Sequence, residues 1–555
     1  MKRREINYLL VVLIVLQQVS CSKGSSGGDG PATPAVFQLN SISLNGQTIN
    51  ANNYNISFTP VIRLNFNGKV DKSTVTPAVN LTSENGAVAY QVSYSNEDSS
   101  LLIRPAAPLA SIARYHFSVT TSLKATSGAA LLSGNSFSFV TKIDSSAKFP
   151  LLTDEELLTK VQQQTFKYFW DFAHPVSGLA RERNTSGDVV TSGGSGFGIM
   201  AIVTGIHRGF ITRAEGLARL QTIVGFLKDR AQTFKGAYPH WMNGATGVVV
   251  PFSANDNGAD LVETSFLMQG LLTARQYFNG AAAVEVALRN DINVIWNRVE
   301  WSHFTRGEQV LYWHWSPSVS WAMNMQIKGW NEALITYVLA ASSTTFPITK
   351  SVYDNGWASN GGMRNGASYY NMQLPLGPPF GGPLFFAHYS FLGINPNGLT
   401  DAYANYEIQN RNHALVNYNY SKANPKGYFG YSDSVWGLTA SDIKGGYTAS
   451  SPTNDVGVIA PTAALSSFPY TPTESMKALK FYYYTLGDKI WKEYGFVDAF
   501  SLKEPWFANT FLAIDQGPII VMVENHRSGL LWDLFMSAPE VKAGLRTLGF
   551  QSPHL

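Results

Sequence analysis

Between residues 37 and 141 apolar and polar positions alternate in short runs: Val61-Ile-Arg-Leu-Asn-Phe66, Leu101-Leu-Ile103, Tyr115-His-Phe-Ser-Val119 and Phe137-Ser-Phe-Val140. A period of two with turn residues between the runs predicts short strands, and so a small all-β sandwich over 35–143. After residues 144–148 the period becomes helical, with predicted helices at 155–171, 196–207, 212–233, 260–277, 282–299, 329–341 and 475–494. The loops between them are long and rich in Gly, Pro and Trp. Helices joined in this way fit a toroid of paired helices over 150–555, whose inner helix ends and loops gather side chains far apart in sequence.

The N-terminus differs from both regions. Lys2, Arg3 and Arg4 precede an apolar stretch at 8–16 that is too short to span a bilayer and has the layout of a secretory signal. Cys21, the only cysteine, follows directly, where a bacterial lipoprotein is cut and acylated; Gln18 departs from the leucine usual in such boxes. The expectation is a lipoprotein signal over 1–21, a Gly/Ser-rich tether over 22–34, and a monomer held by lipid in the outer membrane, facing the periplasm or the surface. The alternative is a plain secretion signal with an incidental cysteine.

Charge narrows the partners. The 41 Lys plus Arg nearly cancel 38 Asp plus Glu, and no long basic run is present to neutralise phosphates, which argues against nucleic acid. Aromatic residues make up 13% of the chain, a supply of flat faces suited to sugar rings as well as to the core.

The candidate chemistry lies in the carboxylates. Asp256, Asp260 and Glu263 fall within eight residues, and Glu332 sits in the apolar run Gly329-Trp-Asn-Glu-Ala-Leu-Ile. Glycosidic cleavage needs one carboxyl held protonated for the leaving oxygen and another kept ionised. Burial on an apolar helix would raise Glu332 toward the acid role; a structural ion pair is the competing explanation. Asp260 and Glu263 also read as an acidic capping box that opens the helix at 261–277, and Asp256-Asn-Gly258 offers hard oxygen ligands without the spacing of a calcium loop.

Several motifs carry a resemblance: Tyr168-Phe-Trp-Asp171, Ser192-Gly-Gly-Ser-Gly-Phe-Gly198, Ala237-Tyr-Pro-His-Trp241, Asp260-Leu-Val-Glu-Thr264, Tyr312-Trp-His-Trp315, Gly329-Trp-Asn-Glu332, Trp436-Gly-Leu-Thr-Ala-Ser-Asp442 and Ala513-Ile-Asp-Gln-Gly-Pro518. From about residue 150 onward the chain resembles the bacterial glucoamylase-like family, glycoside hydrolase family 144. The strand-rich segment resembles bacterial Ig-like domains through Phe58-Thr-Pro60, Val70-Asp-Lys-Ser-Thr74 and Phe139-Val-Thr141.

The first resemblance implies an (α/α)6 barrel and inverting hydrolysis of β-1,2-glucan without cofactor or metal, by endo cleavage or by release of sophorose from chain ends. It also carries the working carboxylates to Asp256, Asp260, Glu263 and Glu332, with Asp515, or less well Asp455, as the further acid. Candidate sugar-binding groups are Trp241, Trp313, Trp315, Trp330, Tyr431 and Trp436 for stacking, and His240, His314, Arg411 and Gln516 for hydroxyls. Taken singly, a His or Trp in a helical protein is more often core than ligand. A glycan-binding lipoprotein without turnover and an α-glucan-cleaving glucoamylase are the rival functions.

Overall fold

A computed structural model describes residues 36–555, so Cys21, the leader and the tether lie outside the described residues. The chain divides into two compact units, one built mainly from residues before 140 and the other from 140 onward.

The first unit contains two five-stranded sheets. One runs in the order Gln47–Thr48, Leu39–Leu44, Ile62–Phe66, Ser100–Pro105, Tyr90–Ser95; the other runs Asn53–Ile56, Asn135–Thr141, Arg114–Val119, Val79–Ser83, Gly86–Ala87. Ile62, Leu64 and Phe66 are buried while Arg63 and Asn65 between them are half-buried. Tyr115, Phe117 and Val119 repeat this on the other sheet. Period-two patterning therefore does here what alternation requires, filling one face of each sheet.

The second unit is helical. Its longer helices are α1 (Asp154–Trp170), α2 (Ser192–His207), α3 (Arg213–Asp229), α4 (Leu261–Tyr277), α5 (Ala283–Asn297), α6 (Leu334–Ser342), α7 (Tyr406–Ala423), α8 (Pro472–Lys480), α9 (Ala513–Ser528), α10 (Leu530–Ser537) and α11 (Pro539–Leu548). Capping boxes fix two starts, Thr153 with Glu156 on α1 and Thr212 with Glu215 on α3.

α2 carries five glycines and is a poor helix by propensity, at about 1 kcal/mol per glycine. Packing against α4 outweighs that cost. A Cβ on Gly196 would lie 2.1 Å from the Phe266 carbonyl oxygen, and one on Gly270 would lie 2.2 Å from the Gly196 carbonyl oxygen. The two backbones therefore cross in direct contact, which only glycine permits.

Two helical expectations are corrected, and α7, α9, α10 and α11 lie outside the expected helices. The run at 329–341 becomes helical only at Leu334, because Gly329 takes φ +77° and the Asn331 side chain accepts the Ala333 N–H at 2.9 Å. Glu332 therefore stands on a turn, not on a helix face. The predicted helix at 475–494 is α-helical to Lys480, widens into a π-helical turn at Phe481–Thr485, closes with a short turn at Gly487–Ile490, and is ended by the hairpin Trp491–Lys492/Gly495–Phe496. α7 lacks an apolar stripe because its buried face includes Gln409, Asn410, His413 and Asn417, so hydrophobic periodicity does not reveal it.

Candidate active site

Four carboxylates stand at or beside helix N-termini, where free N–H groups and the helix dipole favour negative charge. Asp260 is the N-cap of α4, accepting the N–H groups of Val262 at 3.0 Å and Glu263 at 2.9 Å through Oδ1. The capping box is only half made. Glu263 does not reach back to Asp260 but turns to α2, where its Oε2 accepts the Gly193 N–H at 2.8 Å and the Thr191 hydroxyl at 3.2 Å. Glu332 precedes α6 by two residues, and Asp515 lies in the first turn of α9.

Short strand pairings bring the histidines in. Ala259–Asp260 pairs with His314–Trp315, and Thr191 pairs with Trp241 next to His240. His240 Nδ1 lies 3.2 Å from Asp260 Oδ2 and 3.9 Å from Asp256 Oδ2; His314 Nε2 lies 3.6 Å and 3.5 Å from the same two oxygens. Among the described residues, His240, Asp256 and Asp260 are the group whose ligand atoms could meet on one ion, lying within 4.8 Å of one another. Both Asp260 oxygens are already engaged, one with the α4 N–H groups and one with His240, so the hydrogen-bonded network accounts for the cluster.

Burial separates the roles of these acids. Desolvation, opposed only by its own backbone N–H and reinforced by Glu263 and Asp260, pushes the Glu332 carboxyl up to about 7. Desolvation and the Asp260 charge raise Asp256 to about 6 against the pull of the two histidines. Burial also raises Glu263. Asp260 moves the other way: desolvation is overcome by the His240 hydrogen bond and the histidine charges, which hold it below the usual carboxylate range. Burial opposes a charge on His240, but Glu263, Asp260 and Asp256 together lift it to about 9.

Glu263 and Glu332 line a cavity of about 490 Å³ whose walls include His240, Trp241, Phe252, Trp313, Phe385 and Tyr389. A carboxyl raised toward neutrality, a second buried carboxyl and aromatic faces in one cavity form an arrangement that can protonate a leaving oxygen on a sugar.

Residues 324–539 match the family model described as "Putative glucoamylase", and residues 40–141 match the Bacterial Ig-like domain. The chain is similar to an endo-β-1,2-glucanase from Chitinophaga pinensis, solved with sophorotriose and glucose, with 52% identity and a TM-score of 0.72 over 73% of this chain and 100% of that one. The chain belongs to the glucoamylase-like family, glycoside hydrolase family 144.

A β-1,2-glucanase structure from Parabacteroides distasonis shares 39% identity with a TM-score of 0.70, covering 94% of this chain and 74% of that one. An exo β-1,2-glucooligosaccharide sophorohydrolase (non-reducing end) from Parabacteroides distasonis is 48% identical over 428 residues, 73% of this chain. The match spans 59% of that curated relative's length.

Within this family 144 domain the remaining candidates divide. Trp241 and Trp313 line the cavity, as do His240, Glu263 and Glu332. Trp330 does not: it is buried at 4% exposure against Phe391, Tyr406 and His413. Trp436 is fully buried with its indole N–H on the Glu474 carbonyl, and Gln516 is buried with its amide on the Phe496 carbonyl. Trp315 turns to His303 and Trp321, and Arg411 is exposed on α7, away from the cavity lining. Asp455 is tied by Tyr431, Tyr420 and the Gly457 N–H, and neither it nor Tyr431 is among the residues that line the cavity.

Motif reading missed Phe252 and Tyr447, both on the cavity wall and about half exposed at 51% and 50%. Phe252 stacks on His240 with centroids 4.3 Å apart, and its N–H donates to the Asp256 carbonyl at 2.9 Å. Its signal in the sequence was an aromatic in the loop just before the acidic triplet; Tyr447 follows the turn glycines Gly445 and Gly446. Glu182 and Arg183 also line the cavity and were not singled out.

Proposed function

We propose that this chain hydrolyses linear β-1,2-glucan to short oligosaccharides by endo cleavage with inversion, in a helical domain arranged as an (α/α)6 barrel. The observation that carries the proposal is Glu332: a carboxyl raised to about 7 on the wall of an aromatic-lined cavity, which suits it to be the general acid. As the glycosidic C–O bond breaks, Glu332 gives its proton to the leaving oxygen. Water adds to the anomeric carbon from the opposite face and loses its proton to a second carboxylate. Asp515 is the proposed acceptor, since its neighbours Leu512 and Ile514 line the same cavity, and inverting enzymes set the two carboxyls roughly 6.5–9.5 Å apart. Asp256, Asp260 and Glu263, with His240 and His314, hold the polar wall on the Glu332 side.

Exo release of sophorose is the second reading, favoured by the 48% identity to a sophorohydrolase. The two readings differ in product history. Endo cleavage of a defined β-1,2-glucan gives a mixture of oligomers in the first minutes, whereas exo cleavage gives the disaccharide alone. Glucose from starch with no product from this glucan would overturn both. For localisation, the proposal is a monomeric lipoprotein acylated at Cys21 and held in the outer membrane, supported by the basic start, the short apolar stretch and the single cysteine.

A further inference from the structure

Arg183 lines the cavity, yet the proton transfers described above give it no part. Its guanidinium is clamped along two edges. Nε donates to both Glu182 oxygens at 3.0 Å, and Nη1 donates to Asp442 Oδ1 at 3.2 Å and Oδ2 at 3.3 Å. Asp442 is held in turn, accepting the Thr510 hydroxyl at 2.6 Å. The backbone is pinned as well: Arg183 bridges Leu512, the Asn184 N–H donates to the Phe511 carbonyl at 3.1 Å, and the Ala513 N–H donates to the Glu182 carbonyl at 3.0 Å. Five N–H donors belong to a guanidinium, and no described residue accepts from the two on Nη2. The Arg183 side chain is 28% exposed, against 15% for Glu182 and 12% for Asp442, so the arginine is the uncovered part of the trio.

Charge sets what this donor can take. Glu182 and Asp442 together outnumber the one guanidinium, so the trio has no positive charge to spare and disfavours an anion. A neutral polyol escapes that repulsion and still accepts from a charged donor. Tyr447 supplies a matching face. It pairs with Asp442 across the hairpin Ala440–Ile443/Gly446–Ala449, and directly opposed side chains share one face of such a pair. The phenol ring thus stands on the hairpin face whose carboxylate grips Arg183, half exposed on the cavity wall with no described ring stacked on it.

A β-glucopyranose carries C–H groups on its faces and equatorial hydroxyls around its rim. A unit resting on Tyr447 therefore turns hydroxyls toward a donor beside the ring. In a β-1,2-linked chain the internal units keep adjacent 3- and 4-hydroxyls, one of which a β-1,3 or β-1,4 linkage would consume. We propose that Arg183 and Tyr447 form one sugar subsite, in which Tyr447 is the platform and Arg183 Nη2 donates to the 3,4-diol of the glucosyl unit resting on it. This rests on the β-1,2-glucan reading above and adds to it a group that recognises the linkage.

The test uses Glu332→Gln protein, which should hold an oligosaccharide uncleaved. Crystals soaked with β-1,2-linked glucotriose should show Nη2 within about 3.2 Å of the 3- and 4-hydroxyls of one unit, with that unit over Tyr447. A bound trisaccharide whose 3,4-diols all lie away from Nη2, or a cavity that stays empty, overturns the proposal.

Calorimetry on the same background gives a second readout. Arg183→Lys keeps the charge but loses the planar fork, so the Kd of the trisaccharide should rise by about 10- to 100-fold with the circular dichroism unchanged. A folded variant whose Kd moves by less than about threefold overturns the proposal. The crystal needs no change at Arg183, so it decides where the variant does not fold. A wild type that cleaves β-1,2-glucan alongside either failure leaves the reaction standing and removes only the subsite, whereas a wild type that yields no product removes both.

Discussion

The backbone N–H of Gly193 donates to Glu263 Oε2 at 2.8 Å, and a methyl group on that same residue would lie 2.6 Å from the oxygen it binds. The start of α2 is thus both the donor that orients this carboxylate and a surface bare enough to admit it. Gly193→Ala should displace Glu263 and press on Phe266, whose ring carbon lies 3.0 Å from the added methyl position. We expect kcat/KM on β-1,2-glucan to fall by roughly 10- to 1000-fold, the loss of about 1.4–4 kcal/mol of transition-state stabilisation, with the helical circular dichroism retained. Wild-type kinetics in a folded Gly193→Ala protein would remove Glu263 from the working site.

Glu332→Gln should lower turnover on glucan by orders of magnitude, and less on an aryl glycoside whose leaving group needs no proton. Stability gives an independent check with a definite sign. The folded carboxyl titrates near 7 and the unfolded one near 4.5, so the folded state binds the proton more tightly. The wild type therefore bears no penalty below pH 4.5, an increasing one as pH rises toward 7, and the full one above. Glutamine removes that penalty. Relative to the wild type, the variant should gain about 1–3 kcal/mol at pH ~8, allowing for the partial exposure of Glu332, and little at pH ~4. Equal differences in denaturant midpoint at the two pH values would contradict the raised carboxyl.

Phe252→Ala should raise KM for long β-1,2-glucan by about 5- to 50-fold while leaving kcat within a few-fold, because the ring is half exposed on the cavity wall and stacks on His240. A fall in kcat at constant KM would place the ring's effect on His240 and the acids rather than on sugar binding.

Cys21→Ala should shift the protein from the membrane to the soluble fraction after cell fractionation. Intact-mass analysis of the mature wild-type chain checks the same point, since a chain without lipid or one that begins elsewhere refutes anchoring at Cys21.

Much of this site was legible in the sequence because its parts are local. The capping role of Asp260, the nearness of Asp256 to it and the apolar setting of Glu332 all follow from spacings of a few residues. Glu332 was misplaced by a single turn, since the run after it is helical and the positive φ of Gly329 and the Asn331 side-chain bond to the Ala333 N–H appear only in the folded chain. Tertiary pairing hid the rest. Glu182, Arg183 and Tyr447 reach the cavity from segments with no common motif, and Trp330 and Trp436 resembled platforms until packing showed their rings enclosed. The strands of the first unit were readable because one buried face imposes a period of two, whereas the polar interior of α7 left no such imprint.

The contact between Gly196 and Gly270 leaves no side chain at the crossing through which evolution or design could tune the distance between α2 and α4. Glu263 and its Gly193 donor hang from these two helices, so their spacing is inherited rigidly, while Phe252 and Tyr447 sit on a loop and a hairpin that carry no such constraint. Substrate length should therefore be open to change by exchanging 251–254 or 444–449, which carry Phe252 and Tyr447 and leave Asp256 and Asp442 in place.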